Sequence, residues 1–522
     1  MVNGTESTIV PLAEALCAIG SHRAGVVAHL QQELLLLAEN LGDQSEERSE
    51  HSQSLVLICT LIFQSGIDRH WVHQDRMAIM KSVEKLDLWL VYRVARQAAR
   101  YGYHQIASEL FSRLCNRVNT EHFHFWLVAL WEISLAESCL QDVGDERGSS
   151  SKLVKGSDIS QAITHYLKAV SALKAATTPL YNLQFQYEYT VLRNQVLQAH
   201  NQLVHACSCL WTSPPSAIAA SVAMTSRDEL QNCGRIVAEL RKCAKDFRSL
   251  ADQYGSLYQS AFNADRTTLT TIQIQQQCCL LMVQAIERVA QYNQGMGAND
   301  VKMLHMDQSQ KSLENYRVKE AYRRIVSVIR TLGEDSEVRT IGGKEIDGLK
   351  KISEELIRVP LSVPRYFFQT LQSTVIKLAV SPQPKAPGEP NDVIQNTAHL
   401  AVKVEGVVQH GGRPSLFRQV AKVLLTVSST LQSKTTTVQE GKAQQDNNNT
   451  MSQTVKPHND YFHAQFLLAF PVVGLHQVII EAAVVDETEA HWTTGPKTTL
   501  LVKSYDDSSN QKQTSRVFGQ RF

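Results

Sequence analysis

The sequence predicts a mainly α protein with a C-terminal all-β domain: an α-solenoid of stacked helix pairs followed by an Ig-like antiparallel β-sandwich. Three observations carry that reading. Apolar residues recur at helical spacing up to about residue 360. After Pro360–Pro364 they alternate at spacing two, in short runs bounded by turn residues. A chain of 522 residues also exceeds what one core sustains, because single cores stop growing at roughly 250–300 residues.

Residues 1–360 read as an irregular helical array of the ARM, HEAT or TPR kind. Ala107, Phe111, Leu114 and Val118 step by four, three and four, laying an apolar stripe opposite Glu109, Arg113 and Arg117. Ile163, Tyr166, Leu167, Val170 and Leu173 repeat the device. The longest stripe runs through Leu230, Cys233, Val237, Leu240, Ala244 and Phe247. It opens on a capping box, Ser226-Arg-Asp-Glu229, whose two side chains suit orphan N–H groups of a first turn. Breaks fall at Gly42–Ser54, Gln141–Ser160, Ser213-Pro-Pro-Ser216, Gly295–Asp300 and Gly333–Gly348. An amphipathic helix cannot bury its stripe alone, so about ten such helices must stack. Tyr101-Gly-Tyr103 with Ala107 and Phe111 faintly echoes a tetratricopeptide unit. The fixed period of roughly 34 residues is missing, and one or two compact helical bundles stay open as the alternative.

Residues 361–505 read as the β-sandwich. Val375–Val380 is its first strand, and the Pro-rich stretch Ser381–Pro390 connects it onward. Leu400, Val402 and Val404 alternate with Lys403 and Glu405. Gln419–Val427 is almost wholly apolar, as a buried strand should be. Phe462, Ala464, Phe466, Leu468 and Phe470 alternate cleanly, and Val478–Val485 and Thr498–Lys503 complete the set. The Gln/Asn/Thr-rich stretch 428–460 is too poor in apolar residues to fold and reads as a disordered insert. Residues 506–522 read as a disordered tail.

Bulk composition excludes several classes. Net charge is +1, with 43% hydrophobic and 20% charged residues. That removes the usual footprint of a nucleic-acid or acidic-membrane binder, although a neutral total can hide a local patch; the expectation is nucleic-acid contact at most indirect or weak. The ten cysteines are scattered without a C-x-x-C pair, which predicts a reducing compartment and no disulfide framework. The N-terminus has no signal-peptide pattern. The longest strongly apolar run, Leu55–Phe63, is about half of the roughly 20 residues that span a bilayer. The expectation is a soluble intracellular protein with no membrane contact.

Candidate chemistry is sparse. His122 and His124 in His122-Phe-His124-Phe-Trp126 point apart on a helix and read as core and boundary residues. His70, His73 and Asp75 are better spaced, but nothing supplies the remaining ligands of a four-coordinate metal. Cys207, Cys209, Cys278 and Cys279 have apolar helical neighbours and read as inert packing rather than redox groups. Gly342-Gly343-Lys344 resembles the end of a phosphate loop without its first glycine or preceding strand. Arg317, Lys319, Arg323, Arg324 and Arg330 spread around a helix among Val318, Ala321, Ile325 and Val328, which reads as a solvated face. The tail cations Lys512, Arg516 and Arg521 are too few for much affinity. The expectation is no catalytic residues, no metal site and no cofactor.

Four segments carry a resemblance: Val363-Pro-Arg-Tyr-Phe-Phe-Gln-Thr-Leu-Gln-Ser-Thr-Val375, Leu400-Ala-Val-Lys-Val-Glu-Gly406, Tyr461-Phe-His-Ala-Gln-Phe-Leu-Leu-Ala-Phe-Pro471 and His491-Trp-Thr-Thr-Gly-Pro-Lys497. They resemble the C-terminal region of the Integrator complex subunit 7 family, and the likeness continues upstream over essentially the whole chain. These are whole-segment matches, so no functional residue transfers. The resemblance implies a non-catalytic nuclear scaffold whose partners are other Integrator subunits and, through the complex, the RNA polymerase II machinery. It implies roles in promoter-proximal termination and small nuclear RNA 3′-end processing, with a link to the DNA-damage response. Family members are longer at the N-terminus, so the chain looks like a shortened form starting inside the array. Two other readings remain: a vesicle-coat or adaptor subunit, since a solenoid with a β appendage also suits that class, and an enzyme of unfamiliar type, which nothing in the sequence favours.

Overall fold

The computed structural model describes residues 9–22, 24–43, 49–66, 73–141, 156–178, 182–209, 226–292, 316–331, 343–369, 373–386, 389–411, 417–432 and 449–506. The chain is mainly α with a C-terminal β domain. It divides into two compact units, Met1–Leu257 with Asp265–Thr370, and Tyr258–Ala264 with Leu371–Phe522. The boundary differs from the expected 360/361. Residues 361–370 belong to the helical unit, for reasons given below, and Tyr258–Ala264 belongs to the β unit.

The helices are α1 (Ile9–His22), α2 (Ala24–Val27), α3 (Gln31–Asp43), α4 (Ser49–Ser65), α5 (His73–Ser82), α6 (Leu88–Arg100), α7 (His104–Cys115), α8 (Glu121–Gln141), α9 (Gly156–Ala176), α10 (Gln184–Cys209), α11 (Ser226–Ser260), α12 (Arg266–Tyr292), α13 (Tyr316–Thr331) and α14 (Gly343–Arg358). From α6 to α10 each helix packs on the next. Beyond that, α14 packs on α8, α10, α12 and α13, which closes this part as a bundle.

Local chemistry sets the helix ends. The Asp87 carboxylate caps α6 by accepting from the Trp89 N–H. Gly102 ends it at φ +79°, with Tyr103 N–H donating to Ala98 and Gly102 N–H to Ala99, a Schellman turn that feeds α7. α7 stops at Cys115, so Val118 falls beyond the stripe predicted for it. On α9 the buried stripe is Ile159, Ala162, Tyr166, Ala169, Leu173 and Ala176, and Leu167 is 50% exposed. Tyr166 and Leu173 of the predicted stripe are buried, and Ala162, Ala169 and Ala176 complete the inner face, so the stripe is rotated away from Leu167 where α9 packs on α8. On α13 the buried set continues through Ile329 rather than Val328. The start of α11 coincides with the predicted cap, but the side chains of 226–235 lie outside the described residues. α8 is the one described helix long and apolar enough to cross a membrane. It packs instead between α7 and α9 and buries Glu132 and Glu137.

In the β unit, β1 (Val375–Ser381), β3 (His399–Gln409) and β6 (Tyr461–Ala469) form one sheet. The second sheet has the order β2 (Asp392–Gln395), β9 (Lys497–Tyr505), β7 (Gly474–Asp486), β4 (Val420–Leu431), β5 (Asn449–Val455), with β8 (His491–Trp492) paired to β7. Val402, Val404, Phe462 and Leu468 of the first sheet are buried, as are Leu425, Val427, Val478, Ile480 and Leu500 of the second. Along β3, the alternate positions His399, Lys403 and Glu405 are exposed. The antiparallel expectation holds for every pair except β2 on β9, which is parallel. The stretch 428–460 is corrected at both ends. β4 runs on to Leu431, and Asn449–Val455 pairs with it from Val423↔Val455 to Ser429↔Asn449. An edge strand needs only backbone bonds and one neighbour, so Met451-Ser-Gln-Thr-Val455 forms one despite its polarity. Residues 433–448 and 507–522 lie outside the described residues.

A ring-and-arginine stack closes one corner of this unit. Trp492 stacks on Tyr258 (5.8 Å, 16°) and meets Phe262 edge-on at 5.8 Å. The Arg418 guanidinium lies 4.5 Å from the Trp492 ring. It also donates to the Phe262 and Ala264 carbonyls at 2.8 and 2.7 Å. Trp492 Nε1 donates to Asp486 at 2.9 Å. Trp492→Ala should therefore cost about 3–5 kcal/mol, in the range of buried aromatic deletions. Urea unfolding of the full chain, followed by hydrogen exchange in β7, measures it; a loss under about 1 kcal/mol would contradict the stack's role.

Candidate functional site

The helical unit is organised around a carboxylate with no exposed surface. Glu137 projects from α8 and Arg193 from α10, and their side chains are 0% and 5% exposed. Arg193 Nε and Nη2 donate to the two Glu137 oxygens at 2.9 and 3.1 Å, a bidentate pair. The Tyr166 hydroxyl on α9 donates to Oε1 at 2.6 Å, and the Leu361 N–H donates to Oε2 at 3.0 Å. Burial by itself raises the Glu137 pKa. The Arg193 charge, then His104 and the hydrogen bonds from Arg193 and Tyr166, outweigh it and hold the group below the ordinary carboxylate value. Burial likewise lowers Arg193, and the Glu137 charge more than restores it. The pair is charged and saturated.

The Leu361 contact ties this pair to an irregular strap, Pro360–Gln369, whose backbone is taken up by side chains of the helices. His104 Nε2 lies 2.6 Å from the Leu361 carbonyl and donates to it. Tyr189 donates to the Ser362 carbonyl, and Val363 N–H donates to the Ala99 carbonyl at 3.3 Å. Tyr366 N–H donates to Thr268 Oγ1, itself bound to Asp265. Gln186 Nε2 donates to the Phe367 carbonyl at 2.9 Å. Phe367 lies against Trp126 and Tyr189, and Tyr366 against Phe185. Pro360 packs where a Cβ on Gly102 would stand, 3.1 Å away, so that turn needs glycine twice over. This is why 361–370 joins the helical unit although its sequence lacks helical period.

Beside the pair, Arg193, His200, Phe247, Gln275 and Cys279 line a cavity of about 20 Å³, room for about one water. His200 Nδ1 is 2.8 Å from Ser353 Oγ, and its ring meets Phe247 edge-on. Burial and, secondarily, the Arg193 charge push His200 down from 6.5 to about 3. Four hydrogen bonds from Tyr166, Arg193 and Leu361 converge on the Glu137 carboxylate. The arrangement orders the strap.

The candidates named from sequence do not meet here. His124 Nδ1 is 3.1 Å from the Cys115 carbonyl, on the first turn of α8 with His122. His73 opens α5, while His70 lies outside the described residues. Among the described residues no group of three His, Cys, Asp or Glu is arranged to hold a metal. Burial raises Cys207 to about 11 and Cys278 to about 12, and pushes Cys279 higher, which keeps them thiols. The Cys209 side chain, Gly342 and the side chains of Gly343 and Lys344 lie outside the described residues. On α13, Arg323 pairs with Glu320 and Arg324 with Glu355, as a solvated face does. Sequence reading misses Glu137, Arg193 and His104. The available signal is phase: Glu137 shares the buried face of α8 with Ile133, Ala136 and Leu140, where a charge demands a partner.

Glu137→Gln leaves Arg193 buried without its counter-charge and should destabilise by about 3–5 kcal/mol. The double variant Glu137→Met/Arg193→Met should cost less than the sum of the singles in a denaturant cycle; additive losses would mean the pair is not coupled. For pH, the unfolded chain protonates His200 below 6.5 and the folded chain only near 3. Stability is thus intact above pH 6.5 and falls as pH drops toward 3, by about 1.4 kcal/mol per unit. Glu137 adds a loss in the same direction below its ordinary value of 4.5. Unfolding midpoints at about pH 7.5, above the His200 window, and at about pH 5.0, within it, measure the loss. His200→Gln should reduce it.

Comparison with known families places this architecture. The model for Integrator complex subunit 7, N-terminal, matches residues 2–103; the Integrator complex subunit 7 helical bundle matches 104–289; and the Integrator complex subunit 7, C-terminal domain, matches 377–492. Integrator complex subunit 7 of Homo sapiens is 41% identical over 482 residues, 92% of this chain and 49% of that protein. The Gallus gallus protein is 40% identical over 96% of the chain and 51% of its own length. The Drosophila melanogaster protein is 32% identical over 93% and 50%. The chain spans about half the length of these relatives. Matched by the three models over residues 2–289 and 377–492, the chain belongs to the Integrator complex subunit 7 family.

Proposed function

We propose that the chain is a non-catalytic scaffold subunit of the Integrator complex, nuclear and chromatin-associated. In this reading it supports RNA polymerase II promoter-proximal termination and small nuclear RNA 3′-end processing, and takes part in the DNA-damage response. The single observation that carries the reading is the succession of three subunit 7 family models along the chain. The architecture supports it physically. A scaffold must present fixed surfaces, and here the strap and the buried pair fix the mutual positions of α6, α8, α9 and α10. Other subunits would dock on outward helix faces and on sheet edges, the places where backbone or side-chain groups are left to bind partners.

Purification of the tagged chain from nuclear extract at mild salt, with mass spectrometry of what accompanies it, tests the reading. Integrator subunits should be recovered in near-stoichiometric amounts. Recovery of coat or membrane-traffic proteins instead would overturn it, as would a monomeric chain with no companions.

A further inference from the structure

One face of α6, exposed at Trp89 and half-buried at Arg93, Arg96 and Arg100, has a composition the proposed scaffold role does not use. Trp89, Arg93, Arg96 and Arg100 lie at steps of four, three and four. At about 100° per residue these positions fall within about 60° of arc, so they form one stripe. The three arginine positions are spread over about 10 Å of helix. Arg365, exposed on the 3₁₀ turn Arg365–Phe368 of the strap, adds a fourth. Burial lowers Arg96 from the ordinary arginine value, Tyr92 opposes this, and the like charges of Arg100, Arg93 and Arg365 lower it further. Among the described residues no ion pair reaches Arg93, Arg96 or Arg365, and Arg96 Nε is buried without a hydrogen-bond partner. Like charges held together in this way repel, and an anion relieves the repulsion.

The second observation is aromatic. Trp89, at the N-terminal end of the stripe, is 57% exposed. It is also held flat: its ring stacks on Tyr92 at 5.2 Å and 22°, and Tyr92 is fixed by a hydrogen bond from Trp126 Nε1 at 3.1 Å. An exposed, immobilised indole in line with Arg93 and Arg96 is the combination that binds single strands: phosphates on the guanidinium groups, a base on the ring. A phosphopeptide or acidic peptide would use the arginines and leave the indole idle.

We infer that the Trp89–Arg93–Arg96–Arg100 stripe, with Arg365, is a binding site for a single-stranded polynucleotide, contacting about three or four phosphates and stacking one base.

Fluorescence anisotropy of a labelled oligo(U) of about 12 nucleotides with the full chain, from about 50 to 300 mM salt, tests this. Each phosphate contact contributes about −0.7 to the slope of log K against log salt, so a slope of about −2 to −3 is expected. Arg96→Gln should weaken binding and make the slope shallower by about 0.7, and Arg96→Lys should restore the slope. Trp89→Ala should weaken binding about 5- to 100-fold with the slope unchanged, and Trp89→Phe should recover part of it. Arg323→Ala, on α13, should change nothing. Oligo(dT) separates the sources: equal affinity assigns backbone and stacking alone, and an RNA preference adds a 2′-hydroxyl contact. Duplex bound as tightly as single strand, a phosphopeptide displacing oligo(U) at equal affinity, or binding indifferent to Trp89 and Arg96 in variants with unchanged circular dichroism would each overturn the site.

Discussion

The helical unit depends on one interaction, the buried pair of Glu137 and Arg193. A carboxylate without water must find its hydrogen bonds inside the chain, and Glu137 finds them on α9, on α10 and on the strap. Each donor arrives from a different element. Satisfying one group therefore fixes four segments at once, and an error in any of them leaves a charge or an N–H stranded. Removing either partner would strand the other's charge in the interior.

The strap shows how that constraint propagates. Pro360–Gln369 has neither helical nor strand spacing, and an irregular segment is costly to bury unless its backbone groups are paired. His104, Gln186, Tyr189 and Thr268 supply the pairing, and Trp126 and Phe185 supply ring contacts. Within the β unit Arg418 does a similar service. It satisfies the Phe262 and Ala264 carbonyls, which follow the end of α11, while covering the Trp492 ring. In both units, side-chain polar groups do for irregular backbone what ladders do for helices and strands.

How much is legible in the sequence follows from the same physics. Period is a local property, so the change from helical to alternating spacing near Pro360 is readable, and so is the clean alternation of Phe462 to Phe470. Packing partners are not local. On α9 the predicted stripe is right at Tyr166 and Leu173 but wrong at Leu167, because the inner face is completed by Ala162, Ala169 and Ala176. β5 escapes a reading by hydropathy because an edge strand can form from Met451-Ser-Gln-Thr-Val455 with little apolar content once β4 offers its edge. The site is the least legible part. Arg193 and Leu361 stand 56 and 224 positions from Glu137, and no spacing rule links them. Only the phase of Glu137 within an apolar helix face points to a hidden partner.

Matched and unmatched arginines of this unit make the opposite argument. Arg193 is buried and fully matched, and its charge is consumed by the fold. Arg93, Arg96 and Arg365 act on one another as like charges, and none of them has an ion-pair partner among the described residues. A fold that supplies a bidentate carboxylate to the first has the means to neutralise the others. Their grouping beside a tryptophan held flat by Tyr92 carries an electrostatic cost that no ion pair among the described residues offsets. A cost of this kind, left standing, distinguishes a surface shaped for a ligand from one shaped for solvent. On α13 the ion pairs of Arg323 and Arg324 are with nearby glutamates, and that helix shows what the solvated alternative looks like in the same molecule.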